Sequence, residues 1–194
     1  MSNRLSLARG FAAVSAALVA LSSCATLNEE ECRTADWRKL GLEDGVAGRS
    51  AARIEEHRNA CSKHGMPVNE PAWRIGWEEG IRAYCTPENG LIEGRQGNFY
   101  ANSCPPELKA GFESAYFVAK ALHDARAERD TVLRELDSLL AALKGAEKPE
   151  DRKKIEIDID RKRIALMAAE RRVRDAEGDY DGYVASAGSG LRRR

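Results

Sequence analysis

Three acidic residues are the first candidates for chemistry in this sequence. Asp44, Glu79 and Glu93 hold the same place in three related stretches, GLEDGVAG, GWEEGIRA and GLIEGRQG. Carboxylate oxygens are ligands that Ca²⁺ prefers, so these acids would bind a cation or a small polar ligand if the fold brought them together. On a solvated surface each acid would instead pair with an arginine. The candidates for such pairs are Arg49, Arg53, Arg82 and Arg95.

The glycines of the three stretches favour helix packing over phosphate binding. A phosphate-binding loop needs clustered glycines after an apolar strand, commonly with a lysine. Here an acid that would repel an anion precedes each second glycine. The first, fifth and eighth positions of each stretch fall on one face of a helix. We therefore expect a flat stripe of small residues that packs against another helix backbone or a tryptophan ring, with Gly111 to Ala115 as a weaker fourth copy.

His57, Cys61 and His64 are spaced so that they share one face of a helix, which could hold zinc. The pattern lacks a fourth ligand, and in an oxidising compartment a disulfide explains Cys61 better. The sequence also has no HExxH metalloprotease motif and no GxSxG nucleophile motif. We therefore predict a non-enzymatic protein with no catalytic residue, no cofactor and no metal.

The first 23 residues are typical of an export signal. Arg4 and Arg9 form a positive N-terminal region, and residues 10–21 are an uncharged, largely apolar run that is too short to span a bilayer. The run ends in LSSC at residues 21–24, which resembles the lipobox of bacterial lipoproteins, where cleavage precedes an acylated cysteine. An ordinary secretory signal that contains a cysteine is the alternative.

The lipobox resemblance implies an anchor and a location. Cys24 would carry acyl chains such as palmitate, and several such chains hold a protein stably on a membrane. Ala25 stands where an aspartate would commonly signal retention in the inner membrane. The resemblance therefore implies the periplasmic face of the outer membrane, with the body of the protein beside the bilayer.

Four cysteines remain once Cys24 is assigned to lipid. An even number in an oxidising compartment predicts two disulfides. Four cysteines allow three pairings, which the sequence leaves open, and the shortest loops favour Cys32 with Cys61 and Cys85 with Cys104.

Composition excludes one class of partner and limits the core. Loss of the signal would leave 29 basic against 31 acidic residues, a balance that argues against nucleic acid. Aromatic residues make up 6% and charged residues 32% of the chain, so the core is lean. The 171 residues from Cys24 onward suffice for one domain, or for a small domain with an appendage.

The second half of the chain predicts a long antiparallel helical hairpin. From Phe112 to Glu177 the one glycine and the one proline lie in GAEKPE at 145–150, and the other residues favour helix. Apolar residues recur at spacings of three and four on both sides of this break, which is typical of a coiled-coil seam. With a turn near Pro149, facing residue numbers sum to about 298, as for Leu139 with Ile159. The arm would extend roughly 40 to 50 Å.

These predictions describe an all-α protein in four parts. A signal peptide at 1–23 precedes a disulfide-bonded helical domain with GxxxG-type packing units at 24–106. The coiled-coil-like hairpin follows at 107–183, and a flexible tail at 184–194 ends the chain. Folding of both long helices onto the cysteine-rich half, as a bundle, is the alternative to a projecting hairpin.

Several motifs resemble an uncharacterised family of bacterial lipoproteins with a domain of unknown function. They are the lipobox, ECRTADWRKLGLEDGVAG, HRNAC and YCTPENGLIEGRQGNFYANSCP, which together cover residues 24 to about 120. The resemblance implies a cell-envelope lipoprotein without an assigned activity. We expect a structural or interaction role with a protein partner in the envelope. The alternative is a small-ligand or metal-binding protein that uses Asp44, Glu79 and Glu93.

Overall fold

The structure is a computed structural model that describes residues 26–191. Over this range it contains seven α-helices and no β-strand, which confirms the all-α prediction. The helices are α1 (Glu29–Thr34), α2 (Trp37–Val46), α3 (Arg53–Ser62), α4 (Glu70–Tyr84), α5 (Pro87–Gln96), α6 (Pro106–Gly145) and α7 (Pro149–Leu191). Among these described helices, none is long and apolar enough to cross a membrane. The predicted signal and Cys24 lie outside the described residues.

Polar side chains begin four of the short helices. Asn28, Asp36, Asn69 and Thr86 are the N-caps of α1, α2, α4 and α5, and the side-chain oxygen of each accepts a backbone N–H of the first turn. Such caps satisfy donors that have no partner within the helix and contribute about 1 kcal/mol each. Pro87 follows Thr86 at the first helical position, where its missing N–H costs nothing. The stretch TPENG is therefore a boundary between α4 and α5.

α2 and α4 pack backbone against backbone across their glycines. A Cβ atom on Gly41 would overlap the carbonyl oxygen of Trp73, and one on Gly76 would overlap the backbone of α2. Gly45 and Gly80 repeat this contact one turn later. Since residue numbers rise together along the contact, the two helices run parallel. The predicted stripe of small residues is a helix-packing surface at these four glycines.

α5 and α6 repeat the arrangement with alanine on one side. Gly90 and Gly94 lie against the backbone of α6, where Ala115 and Ala119 are the nearest side chains. This contact also advances in the same direction along both helices, so α5 and α6 are parallel. The domain is thus built from two parallel helix pairs, α2 with α4 and α5 with α6.

The last glycine of the first and third stretches ends a helix and does not extend the stripe. Gly48 and Gly97 have φ of +69° and +73°, in the left-handed region that glycine adopts without strain. Their N–H groups donate to carbonyl oxygens in the last turns of α2 and α5. The predicted three-residue stripe is therefore wrong at its third position, because helical spacing alone does not locate the end of a helix. The rings of Tyr84 and His123 pack against the two glycines.

Each parallel pair requires a connection that carries the chain back to the start of the pair, and a disulfide crosslinks each connection. α3 lies between α2 and α4, and its Cys61 is bonded to Cys32 of α1. Residues 97–105 lie between α5 and α6, and Cys104 in this segment is bonded to Cys85 at the end of α4. This is the pairing that the shortest loops favour.

Aromatic side chains join the two helix pairs in one core. Trp73 and Phe112 have no exposed surface. Trp73 stacks on Trp77 with ring centroids 6.1 Å apart, and Phe112 stacks on Tyr116 at 5.9 Å. Because rings from α4 and α6 share this cluster, the domain boundary predicted after residue 106 needs correction. The change of composition there marks the last cysteine, whereas the core extends into the first turns of α6.

The remainder of α6 and α7 form the predicted antiparallel hairpin, with its turn at residues 146–148. Ile159, Ala169 and Val173 of the predicted seam are buried. The buried residues of α6 end at Ala125. This first part of α6 packs against α5 as well as against α7. About 20 residues are left for the arm, which gives roughly 30 Å and not the 40 to 50 Å expected. The hairpin therefore shares its base with the disulfide-bonded domain.

Ion pairs across the hairpin report its register. Lys162 Nζ lies 2.5 Å from Glu135 Oε2, and Arg172 donates to both carboxylate oxygens of Glu128 at 2.7 and 2.9 Å. The numbers of these partners sum to 297 and 300, close to the predicted 298. A third pair, Arg126 with Glu177, sums to 303. The seam periodicity therefore predicts the register well near the tip of the hairpin, and the pairing departs from it by a few residues towards the base.

α7 extends beyond the point where the tail was predicted to begin. The helix continues from Tyr183 to Leu191, so residues 184–191 are helical and not an irregular tail. Adding residues to a formed helix avoids the cost of nucleation, and the first residues added, VASA, include two alanines, which have the highest helix propensity. Residues 192–194 lie outside the described range.

Gly76→Ala should destabilise the protein by more than about 2 kcal/mol, because its Cβ would force two backbones apart. Urea unfolding followed by tryptophan fluorescence measures the change. The matched control is Gly178→Ala in α7, where a Cβ meets nothing within 4 Å. The control should leave stability unchanged or raise it by up to about 1 kcal/mol. Equal effects of the two substitutions would contradict the packing role of Gly76.

Candidate functional site

The Asp44 carboxylate is the centre of a buried polar network. Its side chain lies on α2 beside Gly45, and the residue is 8% exposed. Oδ2 accepts from His57 Nε2–H at 2.8 Å and from Trp73 Nε1–H at 2.9 Å. Arg53 Nε lies 3.7 Å from Oδ1 and supplies a positive charge. Residues of α2, α3 and α4 therefore meet at one carboxylate.

The network continues to the first described residue of the chain. His57 is 1% exposed, and its Nδ1 lies 2.9 Å from the Thr26 hydroxyl oxygen. With Nε2–H directed at Asp44, Nδ1 of a neutral ring accepts from the Thr26 hydroxyl. Thr26, Asp44, His57 and Trp73 are called the Asp44 network below. The network joins the segment before α1 to the helices of the first parallel pair.

The order hydroxyl, imidazole, carboxylate is also that of serine-hydrolase triads. A triad needs an accessible nucleophile, room for a substrate and donors for the oxyanion. Here the imidazole is buried, and Asp44 Oδ2 is shared with a tryptophan of the core. None of the three clefts described below is lined by Thr26, His57 or Asp44. The arrangement therefore favours a role in holding elements together over hydrolysis.

The three candidate acids are not brought to a shared site. Glu79 is exposed on α4 and accepts from Arg38 at 3.1 Å. Glu93 on α5 accepts from Asn98 Nδ2 at 3.1 Å. Asp44, in contrast, is buried in its network, and the three acids share no partner in these contacts. The alternative function based on convergence of Asp44, Glu79 and Glu93 therefore receives no support from their placement.

Glu93 has a distinct electrostatic neighbour. Tyr84 at the end of α4 is 6% exposed, and its burial raises the pKa of the hydroxyl. The nearby Glu93 carboxylate raises this pKa further, since a phenolate would be repelled by it. Tyr84 is therefore neutral at physiological pH and serves as a packing residue, and its ring covers Gly48.

The zinc-like spacing on α3 does not produce a metal site. Cys61 is oxidised in its disulfide with Cys32. His57 contacts Asp44, while His64 Nδ1 lies 3.8 Å from Glu29 on α1. Within residues 26–191 no cluster of three or more His, Cys, Asp and Glu side chains could hold a metal ion.

The surface clefts of residues 26–191 include three that are open to solvent on the helices named below. One, of about 290 Å³, lies where α5 meets α6 and is lined by Arg95, His123, Arg126 and Asp130 among others. A second, of about 400 Å³, follows the flank of the hairpin beside Lys162. A third, of about 340 Å³, lies between α1 and α2. All three are shallow features of a helical surface with charged rims.

Apolar side chains are exposed on the hairpin as well. Ile157, Ile164 and Met167 of α7 are 45%, 65% and 57% exposed. On α6, Leu133 and Leu140 are 38% and 36% exposed. Both the isoleucines and the leucines are seven residues apart, so each set recurs on one face of its helix. The hairpin therefore presents apolar surface outside its own seam.

Comparison with known proteins finds one family model that matches part of the chain, and it gives no activity. Residues 36–121 match the model of a family described as "Protein of unknown function (DUF2799)". The matched range begins at the N-cap of α2 and ends in α6, so it contains both parallel pairs and both disulfide-crosslinked connections. The match supports an uncharacterised domain of unknown function in this part of the chain. No curated protein and no solved structure matches the chain.

The sequence singles out Asp44 and His57 for separate reasons and does not connect them. It does not point to Thr26 or Trp73 as members of the network. The available signal is a polar residue among packing residues. Asp44 directly precedes Gly45 of the packing stripe, and His57 shares a helical face with the disulfide cysteine Cys61. A polar residue so placed needs a partner inside the protein.

Asp44→Ala should destabilise the protein by roughly 3 kcal/mol, because the buried N–H groups of His57 and Trp73 would lose their acceptor. The matched control is Glu79→Ala, which removes the equivalent acid from an exposed ion pair and should cost less than about 1 kcal/mol. Urea denaturation of both variants gives the comparison. A loss of stability in Asp44→Ala no larger than that in Glu79→Ala would contradict the structural role of the Asp44 network.

Proposed function

We propose that this protein is a lipoprotein of the bacterial envelope, anchored by acyl chains on Cys24 at the periplasmic face of the outer membrane. The observation that carries the proposal is LSSC at the end of an export signal. Two disulfides agree with an oxidising compartment such as the periplasm. Ala25 after the cysteine favours the outer over the inner membrane.

The role proposed for the folded part is non-enzymatic and depends on protein contact. The hairpin arm exposes Ile157, Ile164 and Met167 on α7, and a helical face of this kind fits the apolar groove or helix of a protein partner. Charged side chains surround the apolar ones, as at the rim of an interface. The partner would be another envelope component within reach of an arm of roughly 30 Å.

Cys24→Ala should release the protein from membranes, because the acylated side chain is the proposed anchor. Fractionation of cells and immunodetection of the protein in soluble and membrane fractions measure this release. A matched variant, Ala25→Asp, keeps the anchor and should move the protein from the outer to the inner membrane. Full membrane retention of Cys24→Ala would refute lipidation as the means of attachment.

A photo-crosslinking residue in place of Ile164 should trap a protein partner in living cells, since Ile164 is 65% exposed on the apolar face of α7. The matched control is the same residue in place of Glu128, which lies in an ion pair on the hairpin. Gel shifts and mass spectrometry identify the adducts. An absence of adducts from Ile164, or equal adducts from both positions, would contradict the proposed contact surface.

A further inference from the structure

We infer that the Asp44 network holds the start of the folded chain so firmly that the domain lies directly against the lipid bilayer, without a flexible tether. The surface concerned comprises residues 26–34 and the end of α3, and its partner is the headgroup layer of the membrane. This inference rests on the proposed lipidation of Cys24. It adds a fixed position for the domain, which an acyl anchor alone does not provide.

Three consecutive residues at the start of the described chain each have a separate fixed contact. The Thr26 hydroxyl bonds the buried imidazole of His57. Leu27 is 8% exposed and belongs to the cluster that includes the Cys32 and Cys61 disulfide. Asn28 accepts from the Glu31 backbone N–H, and its own N–H donates to the Glu31 carboxylate. A segment with polar, apolar and capping contacts in sequence is part of the domain and not a linker.

The covalent chain limits how far the membrane anchor can lie from this segment. Cys24 precedes Thr26 by two residues, and two fully extended residues span at most about 7 Å. A flexible tether of about 20 residues would give a root-mean-square span of roughly 25 Å. An acylated Cys24 therefore brings the Thr26 side of the domain to the headgroup layer.

The charge of this surface indicates that the lipid anchor, and not electrostatic attraction, keeps it there. The first turn of α1 consists of three acidic residues, Glu29, Glu30 and Glu31. The basic residue of α1 is Arg33, in its last turn. Stable electrostatic binding to anionic lipid uses clusters of lysine and arginine. The surface lacks such a cluster in α1, so its contact with the bilayer follows from the short covalent connection.

Energy transfer between the domain and the bilayer tests this position. The full lipidated protein carries a donor fluorophore on an unnatural amino acid in place of Lys63, an exposed residue after α3. Vesicles of phosphatidylethanolamine and phosphatidylglycerol carry acceptor-labelled lipid. An insertion of about ten Gly and Ser residues between Ala25 and Thr26 adds a root-mean-square span of roughly 17 Å. The insertion should lower the transfer efficiency at least roughly twofold.

A second variant removes the contacts without lengthening the chain. Thr26→Val combined with Leu27→Ser should also lower the transfer efficiency, because residues 25–28 would then act as a tether. The matched control, Thr131→Val, removes a hydroxyl that bonds only its own helix on the arm, and it should leave transfer unchanged. Circular dichroism verifies that each variant is folded.

The outcomes separate this inference from the proposed function. If the intact protein does not sediment with vesicles, the proposed anchor fails. If all variants sediment but the insertion gives the same transfer as the intact protein, the fixed position is overturned. Equal transfer in the intact protein and in the Thr26→Val, Leu27→Ser variant would likewise overturn the role of the network.

Discussion

The close approach of helix backbones at Gly41 and Gly76 is the contact on which the rest of the domain depends. Without a Cβ between them, α2 and α4 pack directly on each other over two turns. Parallel neighbours cannot be joined by a tight turn, so the chain must return along the pair, and α3 provides that return. Because α3 carries both Cys61 and His57, the first disulfide and the Asp44 network are consequences of the parallel packing.

The same constraint explains why equivalent acids have different roles. Asp44 precedes the second glycine of α2, where α3 covers it, so it is buried and needs the donors of His57 and Trp73. Glu79 has the equivalent place on α4, but its contact is an exposed arginine. A carboxylate without a partner would lower the stability of the fold strongly at the buried position of Asp44 and little at the exposed position of Glu79. The internal repeat therefore describes helix packing, whereas the burial of an acid depends on what crosses over it.

Periodic features were the most predictable part of the structure. The hairpin seam, with Ile159 and Val173 buried, follows from spacings that any long helix must obey. Features that depend on more distant segments were predicted less well. The first turns of α6 belong to the disulfide-bonded domain because Phe112 packs on rings from elsewhere in the chain. The role of Thr26 was missed because its partner, His57, is 31 residues away.

The sequence by itself determined the helical class, the register of the arm near its tip, the two disulfides expected from four cysteines, and the lipobox on which the proposed location rests. These depend on residue type and on neighbours within a few turns, or on how many cysteines can pair. The tertiary structure alone decided that the helix pairs are parallel, that Gly48 ends a helix, and that Asp44 is buried while Glu79 is not. Each of these depends on contacts between segments far apart in the chain, such as that of Asp44 with Trp73, which is 29 positions further along. Local periodicity carries no information on how such segments meet.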